Sequence, residues 1–233
     1  MEIARVNASN HSKYLLQISL SLLAFIFQSK LIAQQTLLIH TRGVWQSNVS
    51  LLPLAGAAPF KSIATASTSA TNPTVILNPD PEFLPGEFVL RFDYKENESS
   101  TPYPSEKRIF ISNRNVELWI NPKFSNNSDS TWFSKDETEN NSFAFFSKQN
   151  AERRDKLSLL QNFLVNYDDT KSKFYQQAII EYEQRRKQYN QWVKLQAEKD
   201  KSNFASHTYP FQYVQAVTWS GTETMRNESI KPH

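Results

Sequence analysis

The side chains able to carry a reaction are few in this chain and widely spaced. Its four histidines are His11, His40, His207 and His233, with no two at a separation that metal ligation uses, and the 233 residues include no cysteine. Thiol catalysis, disulfides and cysteine-bound metals are thereby excluded. Only four glycines are present, Gly43, Gly56, Gly86 and Gly221, so neither a phosphate-cradling loop nor a dinucleotide fingerprint can be written. No serine sits in a Gly-X-Ser-X-Gly elbow. No cofactor and no metal is expected.

Carboxylates cluster in two places, Asp80 with Glu82, and Asp136 with Glu137 and Glu139. A pair of carboxylates can hydrolyse a glycosidic bond unaided, but both clusters lie among Pro, Asn and Ser and read as solvated loop charges. Asn126, Asn127, Ser128, Asp129, Ser130 and Asp136 supply calcium-type oxygens, without the spaced loop and central glycine of an EF-hand.

Binding is a better use of this composition than catalysis. The chain holds 16 Phe, 9 Tyr and 5 Trp, enough to fill a core and still present rings to a partner. Trp119 lies between Leu118 and Ile120 and reads as core. Trp45 and Trp132 fall in or near a strand-rich region, where an exposed indole stacks on sugar rings. Tyr182, Tyr189 and Trp192, with Tyr175, fall on a helical stripe that would cover a partner domain or, equally, pack against the β domain. These five residues, Trp45, Trp132, Tyr182, Tyr189 and Trp192, are the expected binding surface. Arg185, Arg186 and Lys187 read as a solvated face.

Two kinds of element must position them. Nine of the eleven prolines fall between Pro53 and Pro122, and neither proline nor glycine occurs from there to Pro210. The first stretch therefore reads as strands and turns and the second as helix. Phe88, Leu90, Phe92 and Tyr94 alternate with Glu87, Val89, Arg91 and Asp93, the pattern of a half-buried antiparallel strand. Shorter strands are expected at 36–40, 49–54, 62–66 and 74–77. Arg108–Ser112 and Val116–Ile120 flank Asn113-Arg114-Asn115 and predict a hairpin.

Beyond them, Phe143, Phe146, Asn150, Arg153, Leu157, Leu160, Leu164 and Tyr167 recur at spacings of three and four, as do Tyr175, Ile179, Tyr182, Arg186, Tyr189, Val193 and Gln196. Two amphipathic helices follow, joined at 166–172, where Asp168, Asp169, Thr170 or Ser172 caps the second. The expected fold class is α+β: an antiparallel β-sandwich-like domain over 34–136, an antiparallel helical hairpin over 137–202 and an irregular tail over 203–233.

Residues 1–33 read differently. Arg5 and Lys13 precede an apolar stretch, Tyr14 to Phe27, and a polar exit ending in Leu31-Ile32-Ala33, which is the order of a cleavable export signal. The stretch is shorter than the roughly twenty apolar residues of a membrane span. Membrane contact is expected only through an uncleaved signal. Removing Arg5, Lys13 and Lys30 against Glu2 leaves a nearly neutral chain, without the electrostatic footprint of a nucleic-acid binder.

Pro85-Gly86-Glu87-Phe88-Val89-Leu90-Arg91, then Val116-Glu117-Leu118-Trp119-Ile120, then Glu139-Asn140-Asn141-Ser142-Phe143-Ala144-Phe145-Phe146 opening a helix, resemble the N-terminal half of exported thioredoxin-like proteins of the bacterial cell envelope. In that family an all-β domain and a helical hairpin precede a thiol-disulfide oxidoreductase domain. The resemblance covers roughly Thr36 to Val214 and implies an envelope or periplasmic location. Its partners would be a thioredoxin-like domain or another envelope protein. The redox Cys-X-X-Cys pair is missing, so no family active-site residue transfers. The chain then reads as a truncated product, a stand-alone accessory half, or an excerpt. The expected function is a non-catalytic interaction module, with a β-sandwich adhesin or glycan-binding protein as the alternative and a loop-carboxylate hydrolase behind both.

Overall fold

The alternating strand becomes the centre of a sandwich. The computed structural model describes residues 35–56 and 59–219 together with Thr224, so the export-signal reading of 1–33 lies outside the described residues. The elements in chain order are β1 (Leu37–Thr41), β2 (Gln46–Pro53), β3 (Ala64–Ser69), β4 (Thr74–Leu77), β5 (Gly86–Lys95), β6 (Tyr103–Ile111), β7 (Val116–Ile120) and β8 (Trp132–Phe133). They are followed by α1 (Thr138–Asn166), α2 (Lys173–Lys199) and a 3-10 segment, Phe204–Gln212. This is an α+β fold. The described residues from Gln35 onward belong to one compact unit.

Strands β3-β2-β5-β6 form one sheet, antiparallel throughout, and β4-β1-β7-β8 form the other. In the second sheet β1 runs antiparallel to β4 but parallel to β7, and β8 returns antiparallel. Phe88, Leu90 and Phe92 on β5, with Val49 and Leu51 on β2 and Ile109 and Ile111 on β6, face Leu37, Ile39, Val116, Leu118 and Ile120 across the sandwich, all buried. Each large side chain removed from water there is worth about 1.5–3 kcal/mol.

The expected hairpin over 108–120 does not form. β6 pairs with β5 in one sheet and β7 pairs with β1 in the other, so Asn113-Arg114-Asn115 is a corner where the chain crosses between sheets. Both arrangements turn Ile109, Ile111, Val116 and Leu118 toward one core, and alternation alone does not separate them. Asn115 fixes the corner, its Oδ1 accepting the Thr36 backbone N–H at 3.0 Å.

The helices start at side-chain caps. Glu137 accepts the Asn140 backbone N–H at 2.7 Å, and Ser172 accepts that of Tyr175 at 3.1 Å, satisfying donors that a first helical turn leaves open. Tyr175, Tyr182 and Tyr189, seven residues apart, are buried along one side of α2. They face two apolar clusters, one with Phe146, Val193 and Tyr209, the other with Leu157, Leu164 and Trp219.

Within the tail, residues 204–212 are 3-10 helical rather than irregular, while 213–219 have no regular secondary structure and end at a buried Trp219. Side chains of α2 hold this strap. Asn190 accepts the Val214 N–H through Oδ1 and donates Nδ2–H to the Val214 carbonyl, both at 2.9 Å. Arg186 donates to that carbonyl at 3.0 Å, and Tyr189 donates its hydroxyl proton to the Gln212 carbonyl at 3.0 Å.

Candidate binding groove

β6 and β8 are the terminal strands of their sheets, so on this side the sandwich has two open edges. An open edge is a row of unpaired N–H and C=O groups, which proteins cover, charge or interrupt. On β6 three devices act in turn. Pro104 brings no N–H. The Glu106 carbonyl accepts from Ser125 Oγ at 3.0 Å and Asn126 Nδ2 at 3.4 Å. Both backbone groups of Phe110 are taken by Asn140, whose Oδ1 accepts the N–H at 2.7 Å and whose Nδ2 donates to the carbonyl at 2.8 Å. Arg108 lies between them in the outward-pointing register of the strand. Its N–H and C=O are bonded by none of the described residues.

The first turn of α1 is fastened over this edge. Asn141 donates to the carbonyls of Ser134 and Glu137, and Glu139 accepts the Ala205 backbone N–H. Glu137 and Glu139, expected as solvated loop charges, are both buried and structural. Burial pushes the Glu137 carboxyl above the usual carboxylate range, against the lowering effect of its bonds from Asn140 and Asn141. Asp80, from the other acidic cluster, caps the short turn at Pro81–Phe83 by accepting the Glu82 N–H at 3.0 Å.

Between β6, β8 and α1 lies a groove of about 520 Å³, within the size range of ligand sites. Trp132, Phe133, Phe143 and Ala144 give it apolar walls, and Lys107, Arg108 and Lys148 are the charged side chains lining it. The Arg108 guanidinium is paired with Glu87 and lies over the rings of Phe110 and Phe143, at 5.4 and 5.0 Å from their centroids. Lys107 sits opposite Leu90 in the register, on the core-facing side of β6. Burial pushes its ammonium below the ordinary lysine range, and no described carboxylate pairs with Lys107 or Lys148.

Trp132 also ends a row across the outer face of the β4-β1-β7-β8 sheet. Thr74, His40, Trp119 and Trp132 are consecutive cross-strand partners. The His40 imidazole stacks on Trp119 at 4.8 Å, Trp119 stacks on Trp132 at 6.3 Å, and the Arg42 guanidinium lies 4.5 Å from the Trp132 centroid. His40 bonds Thr74 Oγ1 at 3.0 Å and Glu117 Oε1 at 2.9 Å through its two ring nitrogens. Hydroxyl, imidazole and carboxylate are the groups of nucleophilic catalysis, but here they are neighbours on a sheet face, where such cross-strand contacts stabilise pairing.

The structure separates the five expected surface residues. Trp132 lines the groove. Trp45 is 45% exposed and borders a second cavity, of about 370 Å³, with Arg42, Pro73 and Glu96. Tyr182 and Tyr189 are buried against the strap and α1, and so offer no surface. Trp192 is half-buried, with Phe146 parallel at 5.3 Å and Arg153 at 4.6 Å. The sequence reading missed Lys107, Arg108, Ala144 and Lys148. One signal was available: Lys107 is a charge in phase with the apolar Ile109 and Ile111, a device of edge strands.

No protein-family model matches this chain, and neither does any curated protein sequence. Among the described residues no helix is long and apolar enough to cross a membrane.

Proposed function

We propose that this chain is a non-catalytic interaction module that works outside the cytoplasm and holds a partner protein in the groove between β6, β8 and α1. The observation that carries the reading is the Arg108 backbone unit, open on a strand edge that is covered on both sides of it, beside a wall of Trp132, Phe143 and Ala144. An edge with an apolar trough beside it is a surface that proteins use to recognise other chains. The export signal read in residues 1–33 and the resemblance to the front half of thioredoxin-like envelope proteins favour an envelope partner, such as a thioredoxin-like domain.

Photo-crosslinking tests this reading. A photoreactive residue at position 144, in chain produced in a cell that exports it, gives a discrete adduct with one envelope protein, while the same residue at the exposed Ser67 on β3 gives none. Equal labelling from both positions, or none from position 144, removes the proposal.

Glycan binding is the second reading, and Trp45 is the residue that supports it. The rings of Trp119, Trp132 and Trp192 lie against neighbouring rings or guanidinium groups, whereas Trp45 makes no ring contact with a described residue. Saturable quenching of tryptophan emission by an envelope glycan, abolished in Trp45→Ala, would favour it.

A further inference from the structure

We infer that the groove takes an extended, acidic segment of the partner, which adds to β6 as a strand at the single position Arg108. This rests on the reading of the groove as a protein-binding site and specifies what enters it. Along the outward edge of β6, residues 106, 108 and 110 point away from β5. Phe110 is closed by Asn140, and the Glu106 carbonyl is closed by Ser125 and Asn126. One N–H and one C=O remain between them, on Arg108. A ligand satisfying both must carry an acceptor and a donor at main-chain spacing, which an extended peptide residue does and a fatty acid or simple anion does not.

The same register assigns side chains to the segment. A residue directly opposite Arg108 turns its side chain to the Arg108 face of the sheet, where Phe143 and Ala144 form an apolar wall. Its two neighbours turn theirs to the other face, where Lys107 stands. Arg108 is already neutralised by Glu87, while Lys107 and Lys148 meet no described carboxylate. The lining includes no Asp or Glu. An apolar residue flanked by Asp or Glu therefore matches the groove in shape and charge, and the occupied Glu106 carbonyl on one side and the closed Phe110 on the other limit strand pairing to a short segment.

The test selects from a random heptapeptide library displayed on phage against the full chain, with Ala144→Arg as the counter-selected variant. Ala144 is exposed on α1, so the arginine fills the groove without entering the core, and an unchanged thermal melt verifies that the variant folds. The expected peptides alternate acidic and apolar residues and lose binding to Ala144→Arg. They weaken with salt, and less steeply on Lys107→Gln/Lys148→Gln. N-methylation at one peptide position alone weakens binding about five- to tenfold, the loss of one main-chain hydrogen bond. Selected peptides that are basic, or that bind Ala144→Arg equally well, overturn the inference. So does an N-methyl scan with no sensitive position. If crosslinking from position 144 still traps a single protein in that case, the interaction module stands and only strand addition fails.

Discussion

Asn140 meets Phe110 as a neighbouring strand would, its side-chain amide accepting the Phe110 N–H at 2.7 Å and donating to the Phe110 carbonyl at 2.8 Å. One residue of α1 thus ends the sheet. Because Asn140 is also the residue whose own backbone N–H is capped by the Glu137 carboxylate, the start of the helix and the edge of the sandwich are fixed at the same residue. Asn190 repeats the device on Val214, taking both its N–H and its carbonyl.

Replacing Asn140 by Ala leaves a buried N–H and a buried C=O without partners. The expected cost is about 2–4 kcal/mol, measured by denaturant unfolding. Asn140→Asp keeps an acceptor for the N–H, but turns a carboxylate oxygen toward the Phe110 carbonyl and adds charge beside Glu137 and Glu139, so it is expected to cost at least as much. A loss below about 0.5 kcal/mol for both variants would show that the amide pair contributes little.

Glu137 makes stability depend on pH in a defined direction. Its carboxyl is raised in the folded state by burial, so the folded chain holds this proton to higher pH than the unfolded chain, whose Glu titrates near about 4.3. The contribution is full below that pH and is lost as pH rises through the folded value. Glu137→Gln keeps an oxygen for the Asn140 N–H and removes the titration. Its stability relative to wild type is therefore expected to improve between about pH 4 and pH 7, and parallel curves for the two proteins would refute the assignment.

The buried tyrosines act at the other end of the scale. Burial raises the phenols of Tyr182, Tyr189 and Tyr209, with Asp200 adding to the effect at Tyr209. Unfolded phenols ionise near about 10, so this part of the stability is present below that pH and falls as pH rises beyond it. Phenolate absorbance is expected to show at least two populations of tyrosine, merging into one in denaturant. Tyr209→Phe should flatten the alkaline loss of stability.

Tyr182 and Trp219 touch edge to face at 5.0 Å, and neither the Tyr182 hydroxyl nor the Trp219 Nε1 has a hydrogen-bond partner among the described residues. The two substitutions should therefore diverge. Tyr182→Phe removes an unsatisfied buried hydroxyl and is expected to leave stability unchanged or raise it by up to about 1 kcal/mol. Trp219→Ala empties the space among Leu157, Leu164 and Tyr175 and should cost about 3 kcal/mol, with faster amide exchange around Leu164. A neutral Trp219→Ala would mean that the strap does not close the hairpin.

What could be read beforehand follows from the kind of contact involved. Phe88, Leu90 and Phe92 announced β5 because burial on one face imposes a period of two. The helical stripes announced α1 and α2 for the same reason at 3.6. The hairpin expectation at Asn113-Arg114-Asn115 failed because a turn within one sheet and a corner between two sheets bury the same residues. β8, at two residues, is too short to have a period. The strap escaped notice because side chains of Asn190, Arg186 and Tyr189 hold it, a relation with no local signature. Their spacing sets Tyr182 and Tyr189 on one face of α2 but does not say what covers that face, and here residues 204–219 cover it. The groove was legible only at Trp132 and at Lys107, the charge on an apolar face.

The parallel pairing of β1 with β7 has a consequence for how the chain is made. Thr36 finds its side-chain partner at Asn115, 79 residues later, and β1 has β4 and β7 as its two neighbours. During synthesis, β1 through β6 emerge before the segment that completes the sheet, and separations of this size slow folding. Until Val116–Ile120 arrives, Leu37 and Ile39 lie on a strand with one naked flank, the kind of intermediate that aggregates or occupies a chaperone. A chain ending before Val116 would therefore hold an unfinished sheet, with the β7 flank of β1 unpaired.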